Sequence, residues 1–326
     1  MRFSLKQAVF GIAVIVVAAV AFVNAAQSGG TATVRNKLTI IAPASPGGGW
    51  DGFAREAQLV LREDGIVNNV QVVNVPGAGG TIGLSQLVQM HGRDDVLMVT
   101  GGVMIGAISV GNTPESIDDV TPVARLADDY AALVVPADSD IETFEEFVEA
   151  WRDDPTGVSI AGGSLGGIDH LVTGMLAREI GIDPEQANYL AYSGGGETLS
   201  ALLSHTTTAG MAGYNEFAGQ IESGTLRLLA VSAPEPIDGI DAPTFIQGGV
   251  DVQMANWRGF VAPPGLTEPQ VDELRAIIDE LHGSPGWADV VARNAWTDNY
   301  MVGDEFSGFL DDEQALTDEI VEELGL

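Results

Sequence analysis

Glycine-rich stretches that follow short apolar segments are the feature of this sequence most suggestive of chemistry. Glycine lets a backbone approach a ligand closely, and the amide groups at the start of a following helix favour anions. One such stretch alone is an ordinary turn between a strand and a helix, but several in series indicate one binding site built largely from backbone N–H groups. These stretches lie at residues 46–49, 77–80, 100–102, 162–167 and 193–196.

The first stretch satisfies the dinucleotide-binding pattern G-x-G-x-x-G at residues 47–52. In a nucleotide site of this kind, an acidic residue ends the second strand about 20 residues further on and binds the ribose. Asn74 stands at that place, and Pro76 follows it closely. Because the pattern lacks its acidic partner, we predict that the protein has no nucleotide cofactor.

A second pattern, G-x-S-x-G at residues 162–166, matches the nucleophile elbow of α/β-hydrolases, in which Ser164 would be the nucleophile. His205 and His282 follow it in the chain, as a catalytic histidine would. A glycine-rich ligand loop explains the same residues without a catalytic triad. We therefore predict a binding protein and not an enzyme, and we keep a serine hydrolase that uses Ser164 as the alternative.

Metal and thiol chemistry have little support in the sequence. The chain contains no cysteine, and its 4 histidines show no short metal-ligand spacing. Disulfides, thiolate metal sites and cysteine nucleophiles are thereby excluded, and we predict no metal site. Asp169 and His170 follow the stretch at 162–167. They either contact a ligand or cap the following helix, and both interpretations stay open.

The charge balance bears on the protein's partners and its habitat. Asp and Glu number 46 against 14 Lys and Arg, which gives a formal net charge of −32. A nucleic-acid binder needs basic faces to neutralise phosphate, so we predict no nucleic-acid partner. Lys6 and Lys37 are the only lysines. Acidic excess with few lysines indicates a halophilic acidic surface that stays hydrated at high salt; the alternative is an acidic protein from an ordinary habitat.

The N-terminus has the three-part layout of a secretory signal peptide. Arg2 and Lys6 precede an uncharged apolar run at 8–23, and small residues follow at 23–25. The run is short for a membrane span, which needs about 20 residues. We predict a signal peptide at 1–25, with an uncleaved anchor as the alternative, and a spacer at 26–36. The remainder is then exported to the periplasm or to the outer face of the cytoplasmic membrane.

Strands, turns and helices alternate along the chain, a pattern typical of α/β proteins with parallel strands. The predicted strands cover residues 38–42, 70–75, 96–100, 131–135, 158–161, 187–191, 209–212, 226–232 and 259–262. The predicted helices cover 51–63, 82–90, 143–151, 268–282 and 304–323, and two more end near residues 179 and 203. In open α/β sheets, ligands bind beyond the carboxyl ends of the strands, which is where the glycine-rich stretches fall.

Taken in order, several stretches resemble the substrate-binding component of tripartite tricarboxylate transporters. They are residues 42–51, 74–83, 162–170, 192–197, 213–217, 256–259 and 303–306, so the resemblance runs from about Leu38 to near the C-terminus. The first stretch, in the form that contains Trp50, resembles the corresponding stretch in the tricarboxylate-type branch of that family.

The resemblance implies an α/β fold of the periplasmic-binding-protein kind, type II-like, with two lobes and a central ligand cleft. It places residues 37–133 plus 262–326 in lobe 1 and residues 134–261 in lobe 2, with crossovers near Val134 and Val261. Lobe 1 would then include both closing helices. Two sequential domains divided near residue 135 are the alternative that the sequence pattern alone allows.

The resemblance also implies a function: an extracytoplasmic solute-binding protein for a small carboxylate, a citrate-like di- or tricarboxylate. The lobes would close on the ligand, and the closed monomer would deliver it to the membrane subunits of a tripartite tricarboxylate transporter, or as an alternative to a membrane signalling partner. No cofactor is implied. The predicted ligand-binding residues are Gly47, Gly48, Gly49, Trp50, Asp51, Ala78, Gly79, Gly80, Thr100, Gly101, Ser164, Gly166, Gly167, Gly195 and Asn215.

The hypothesis makes a testable prediction for two glycines in the first-lobe loops. If the loops offer N–H groups to a carboxylate, a side chain at Gly48 or Gly79 would intrude on the ligand. We expect valine at either position to abolish binding and to leave the fold largely intact, because both loops are expected at the mouth of the cleft.

Overall fold

The computed structural model describes residues 34–111 and 113–326. The predicted signal peptide and most of the predicted spacer lie outside the described residues. Among the residues described, no helix combines the length and the apolar character needed to cross a bilayer. Strands and helices are numbered below along this part of the chain.

The first sheet is built around the buried strand β1 (Leu38–Ala42). Strands β2 (Val70–Asn74) and β3 (Val96–Gly101) run parallel to it on either side, with Leu38 opposite Val70 and Thr39 opposite Val96. Strand β9 (Ala255–Ala262) pairs antiparallel with β3. The carboxyl ends of β1, β2 and β3 therefore point to one edge of the sheet, as the alternation of strands and helices predicts.

A single long strand, β4 (Thr121–Pro136), joins this sheet to the second one. Its residues 121–130 pair with β9, and within that stretch it also pairs with β10 (Thr297–Val302). Its residues 131–136 pair instead with β7 (Ala209–Gly213) and β8 (Leu226–Val231). Strand β5 (Ser159–Gly162) runs parallel to β7 and to β6 (Asn188–Ala191) and completes the second sheet.

Helices cover both sheets. They are α1 (Gly49–Glu63), α2 (Thr81–Val88), α3 (Gly102–Val110), α4 (Phe144–Asp153), α5 (Ile168–Glu179), α6 (Gly195–Leu203), α7 (Tyr214–Glu222), α8 (Glu268–His282), α9 (Pro285–Arg293) and α10 (Gly303–Leu324). The α1 sequence spaces its apolar residues three and four apart, so Phe53, Ala57 and Leu61 share one buried face. Phe53 packs at 5.3–5.6 Å between ring centroids against Phe260 and Trp287.

Each sheet has its own hydrophobic core, and helix α10 contributes to both. Phe306 and Leu310, near the start of α10, lie in the core of the first sheet. Ile320, Val321 and Leu324, near its end, lie in the core of the second sheet. A two-lobed α/β architecture with a shared C-terminal helix results.

The predicted strands are present, but the first half of β4 was not predicted. That half carries Arg125, Asp128 and Asp129, which are typical of a loop when the sequence is considered alone. The structure buries all three. Arg125 forms an ion pair with Asp128, and Asp129 forms one with Arg258 of β9, so the charges are neutralised inside the sheet. Helices α3, α7 and α9 and strand β10 were also not predicted.

The strand pairing bears on the expected lobe boundaries. The change of sheet within β4 falls between residues 130 and 131, and not near Val134. All of β9 belongs to the first sheet, so the return crossing precedes Ala255 and not Val261. Of the two closing helices, α10 is shared by both cores. We therefore propose the discontinuous two-lobe division with crossings near 130 and 254.

Candidate functional site

A cleft of about 450 Å³ lies between the two lobes. Its first-lobe wall is made by the β1–α1 loop, the segment after β2 and the start of α3. Its second-lobe wall is made by the β5–α5 loop, the β6–α6 loop and α7, and β9 contributes to the floor. The lining residues are Pro43, Ala44, Ser45, Gly48, Gly49, Trp50, Pro76, Gly77, Ala78, Gly79, Gly80, Val103, Gly163, Ser164, Gly167, Ile168, Asp169, Tyr192, Ser193, Gly194, Gly195, Glu216, Asn256 and Arg258.

The N-terminus of α1 opens on the cleft. Gly48 is the residue before the helix, and it lines the cleft together with Gly49 and Trp50. The first amides of a helix have no carbonyl partner within the helix, and the helix dipole makes their end positive. This part of the wall is therefore suited to an anion.

Asp51 stands in the same helix turn but faces away from the cleft. Its Oδ2 accepts hydrogen bonds from the N–H of Gly47 (2.8 Å) and from Nε of Arg55 (2.9 Å), and its Oδ1 accepts one from Asn74 (2.8 Å). Burial opposes ionisation, but these hydrogen bonds outweigh it and hold the pKa of Asp51 below its usual 3.8. Asp51 thus holds the loop and leaves the α1 amides free.

The segment after β2 depends on glycine. Gly77, Ala78, Gly79 and Gly80 all have positive φ angles, of 126°, 49°, 59° and 97°. Such angles cost little for glycine and more for residues with a Cβ. Added side chains would also meet neighbours, since a Cβ on Gly80 would come within 2.7 Å of the Trp50 ring. The chain passes so close to Trp50 and α3 that positions 79 and 80 accept only glycine.

On the opposite wall, two side chains at the start of α5 hold the β5–α5 loop. Asp169 Oδ2 accepts a hydrogen bond from the N–H of Gly163 at 2.9 Å, and His170 Nδ1 accepts one from the N–H of Gly166 at 3.0 Å. Asp169 also lines the cleft. Asp169 therefore does not cap the helix, because its hydrogen bond goes to the preceding loop, and its place on the cleft wall keeps contact with a ligand as a prediction.

The start of α6 meets a carboxyl group of the protein itself. Glu216, in the first turn of α7, accepts a hydrogen bond through Oε2 from the N–H of Gly195 at 2.7 Å. A Cβ added to Gly49, on the first-lobe wall, would lie 3.1 Å from Glu216 Oε1 and 3.0 Å from Arg258 Nη2. Glu216 thus reaches across the base of the cleft towards the other lobe.

Arg258 supplies a guanidinium group at the base of the cleft. Its side chain is 3% exposed, and its Nη2 donates to Asp129, whose side chain is 2% exposed. Its Nη1 donates to the carbonyl oxygen of Gly49 at 3.1 Å, which ties β9 to the start of α1. Within the described residues, the buried Nε has no hydrogen-bond partner.

Acidic side chains outnumber basic ones around the base of the cleft. Burial and the neighbouring carboxylate of Glu216 raise the pKa of Asp169 from its usual 3.8 to about 7. Burial also raises the pKa of Glu216 above its usual 4.5, although Arg258 opposes the rise. The pKa of Asp129 is raised by burial as well, again against the effect of Arg258. Several carboxyl groups therefore share one guanidinium.

The structure brings most of the predicted ligand-binding residues together. Those on the cleft wall are Gly48, Gly49, Trp50, Ala78, Gly79, Gly80, Ser164, Gly167 and Gly195. Those that do not line it are Gly47, Asp51, Thr100, Gly101, Gly166 and Asn215. The contacts explain two of these positions. The Thr100 hydroxyl is buried against Met104 at 3.6 Å, and Asn215 donates to the carbonyl oxygen of Asn294.

Sequence reasoning missed the charged and amide groups of the base, Glu216, Asn256 and Arg258. They fall in the stretches 213–217 and 256–259, which carry part of the family resemblance, but no role followed for them from spacing. Their partners are far away in the chain: Arg258 pairs with Asp129 and Glu216 binds Gly195. An arginine within the buried strand segment 255–262 was the available signal.

Gly48 and Gly79 differ in backbone conformation and in the space available for a side chain. Gly48 has φ −77°, which any residue adopts, and a Cβ there would lie 3.3 Å from the carbonyl oxygen of Ser45. Gly79 has φ +59°, and a Cβ there would overlap the methyl group of Ala107 in α3. We therefore keep the expectation that valine leaves the fold largely intact for Gly48 only.

We expect Gly48→Val to melt near the parent and to lose ligand affinity, because its side chain intrudes on the cleft. Gly79→Val should lose roughly 2–4 kcal/mol of stability through backbone strain and overlap with Ala107. Paired measurements of melting temperature and carboxylate affinity test both. A Gly48→Val variant that binds as tightly as the parent would show that the α1 terminus does not hold the ligand.

The hydrolase alternative finds no support in the geometry. His205 is exposed and faces Asp138 at 3.8 Å, and His282 bonds Asp298 and stacks on Tyr300. Neither lines the cleft in which Ser164 lies. His170 is nearer in the chain, but its Nδ1 is taken up by the Gly166 amide.

Two α/β lobes that share the strand β4, with helix N-termini on both walls of the cleft between them, have the architecture of periplasmic solute-binding proteins. The family model of the tripartite tricarboxylate transporter family receptor matches residues 53–326. The chain belongs to this family, which confirms the resemblance and the predicted fold class.

Individual relatives agree with this assignment. Protein BugT of Bordetella pertussis is 26% identical over 294 residues, which cover 88% of this chain and 89% of that protein. MatC from Rhodopseudomonas palustris, solved with bound malate, has a TM-score of 0.77 at 20% identity and covers 88% of this chain and 99% of its own. A second R. palustris protein, solved with adipate, has a TM-score of 0.82 at 18% identity and covers 89% and 97%.

Proposed function

We propose that this protein is an exported receptor that captures a small di- or tricarboxylate in its cleft and delivers it to the membrane components of a tripartite tricarboxylate transporter. The observation that carries the proposal is the convergence of helix N-termini on one cleft from both lobes. Helices α1 and α6 begin there at Gly49 and Gly195, and α5 begins directly after Gly167; the Gly195 amide itself donates to Glu216. Malate and adipate in the related structures support a carboxylate.

An anion site in a protein of net charge −32 requires that local donors outweigh distant surface charge. Backbone amides and helix dipoles act within the cleft, whereas exposed charges are screened beyond about 10 Å at 0.1 M salt and about 3 Å at 1 M. We therefore propose that binding is best supported at high salt. Trp50, on the cleft wall, would report on ligand through its fluorescence.

Lobe closure is the proposed mechanism. One carboxylate docks at the α1 terminus and the segment 77–80, and the second lobe then closes over the other end of the ligand. Ser164 and the amides near Gly167 are the proposed second-lobe donors. The closed form is what the membrane components would recognise, and a membrane signalling partner would use the same closed form.

A ligand screen tests the proposal. We expect di- or tricarboxylates to raise the melting temperature of the exported part of the chain, at high salt, and nucleotides and sugars to leave it unchanged. At a ligand concentration of 100 times Kd the stabilisation is about 2.7 kcal/mol. A clear response to another ligand class, with none to malate, adipate or citrate, would refute the proposal.

A further inference from the structure

The second-lobe wall of the cleft carries two carboxyl groups where an anion is proposed to bind. Asp169 and Glu216 each use one oxygen, Oδ2 or Oε2, to accept a backbone N–H, from Gly163 at 2.9 Å and from Gly195 at 2.7 Å. Within the described chain, no hydrogen bond occupies the other oxygen of either group. Both residues line the cleft, so these free oxygens are available to a ligand.

The groups around these carboxyls do not neutralise them. Arg258, on β9, is the guanidinium that faces them, and Asp129 of β4 already forms an ion pair with it. The charged and titratable neighbours of Asp169 are Glu216, Asp129, Arg258, His170 and Tyr189. Burial lowers the pKa of His170 and raises that of Tyr189, so both are neutral near pH 7.

An independent feature marks the same place as a ligand site. Asn256 is 7% exposed and lines the cleft, and its buried Oδ1 has no hydrogen-bond partner among the described residues. A buried amide oxygen left without a donor costs free energy. Because Oδ1 is an acceptor, a hydrogen-bond donor on the ligand, such as the hydroxyl group of a hydroxycarboxylate, would be its partner, whereas an ionised carboxylate cannot be.

A carboxylate that enters this site meets further negative charge, which must be balanced. The described residues contain no group of acidic and histidine side chains suited to a metal ion. Besides Arg258 and the backbone amides of the cleft walls, protons on the two carboxyl groups can supply this balance. A buried carboxyl group that keeps its proton at neutral pH can donate a hydrogen bond to an anion.

We propose that Asp169 and Glu216 are ligand-binding residues that act as carboxylic acids, each donating a hydrogen bond to a carboxylate of the ligand, so that ligand capture is coupled to proton uptake. The inference rests on the proposed function and narrows it. The ligand carries one carboxylate for the α1 terminus and another for the acid wall, which makes it at least a dicarboxylate.

The direction of the pH effect follows from linkage. In the empty cleft the pKa of Asp169 is about 7. A bound carboxylate beside it disfavours the ionised form and raises that pKa further, so the complex holds more protons than the free protein. Affinity must then fall as pH rises through 7. For one coupled proton, the loss between about pH 6 and about pH 8 is roughly tenfold.

The experiment is calorimetric titration of the exported part of the chain with malate and with adipate, at about pH 6 and about pH 8, in high salt. The parent should bind about tenfold more weakly at the higher pH. Asp169→Asn offers a permanent N–H donor in place of the acid and should bind nearly equally at both. Glu216→Gln should reduce the pH dependence in the same direction. Titration of the ligand itself is common to all variants.

Glu197→Gln is the matched control. Glu197 also stands in the first turn of a helix beside the cleft and accepts a loop amide, from Ser193 at 3.0 Å, but it is exposed and does not line the cleft. It should keep the pH profile of the parent. The same titrations of the parent at about pH 7, in buffers with different ionisation enthalpies, should show net proton uptake and need no variant.

The outcomes are distinct. Equal affinity at both pH values, proton release on binding, or a pH dependence that survives in the Asp169→Asn, Glu216→Gln double variant overturns this inference and leaves the carboxylate receptor standing. Affinity that disappears with a chelator overturns it in favour of a metal-bridged ligand. Failure of malate, adipate and citrate to bind at either pH overturns the proposed function and the inference together.

Discussion

Replacing Arg258 by methionine is expected to cost about 3–5 kcal/mol of the free energy of unfolding. The side chains of Arg258 and Asp129 are 3% and 2% exposed, so removal of the guanidinium leaves a buried carboxylate without its counter-ion. The hydrogen bond to the Gly49 carbonyl oxygen, which ties β9 to α1, is lost as well. Chemical denaturation at pH 7 measures the effect, and ligand affinity should fall with it because Arg258 lines the cleft.

Two further variants separate a buried ion pair from simple loss of packing. Asp129→Asn combined with Arg258→Met should recover much of the lost stability, since no uncompensated charge then stays buried. Arg93→Met removes a pair with Asp95 in which the arginine side chain is 49% exposed, and it should change stability by no more than about 1 kcal/mol. An Arg258→Met protein as stable as the Arg93→Met protein would contradict the prediction.

Asp169→Asn should stabilise the ligand-free protein at pH 8. The pKa of Asp169 is about 7 in the folded protein and its usual value is 3.8, so the folded state binds more protons than the unfolded state between those values. Stability contributed by the protonated acid is therefore lost as pH rises from about 4 to about 7. The asparagine variant cannot ionise at this position and so does not lose this stability. Its amide oxygen can still accept a hydrogen bond from the N–H of Gly163.

The size of the gain is bounded by the two pKa values. At about 1.4 kcal/mol per pH unit, it cannot exceed about 4 kcal/mol, and water in the cleft reduces it to about 1–3 kcal/mol. Thermal melts at several pH values should show an advantage of the variant that shrinks as pH falls towards 4. Glu197→Gln should show no such trend. A variant that melts below the parent at pH 8 would refute the prediction.

The fold was predictable where local sequence and position in the sheet agree. β1 is a short apolar run followed by a glycine-rich turn, and Phe53, Ala57 and Leu61 are spaced for a helix against it. The first half of β4 was not predictable in this way. Its charges become compatible with a sheet interior only through ion pairs, one of them with Arg258, which is 129 residues away.

The candidate site was likewise predictable from the sequence only in part. Its backbone part follows from glycine-rich turns after strands, which local sequence displays. Its side-chain part is assembled from Asp169, Glu216 and Arg258, which belong to three separate elements, α5, α7 and β9, and meet only in the folded chain. The positions of Thr100 and Asn215 show the reverse case, in which residues next to the site in sequence turn to other partners.

Helix α10 has a consequence for the order in which the chain can fold. Its early residue Phe306 completes the core of the first sheet, and its late residues Ile320 and Leu324 complete the core of the second. Neither core can close until this last helix has been synthesised and has docked. If the chain is exported unfolded, as the proposed signal peptide would imply, this arrangement delays completion of either lobe, and both lobes are expected to unfold as one cooperative unit.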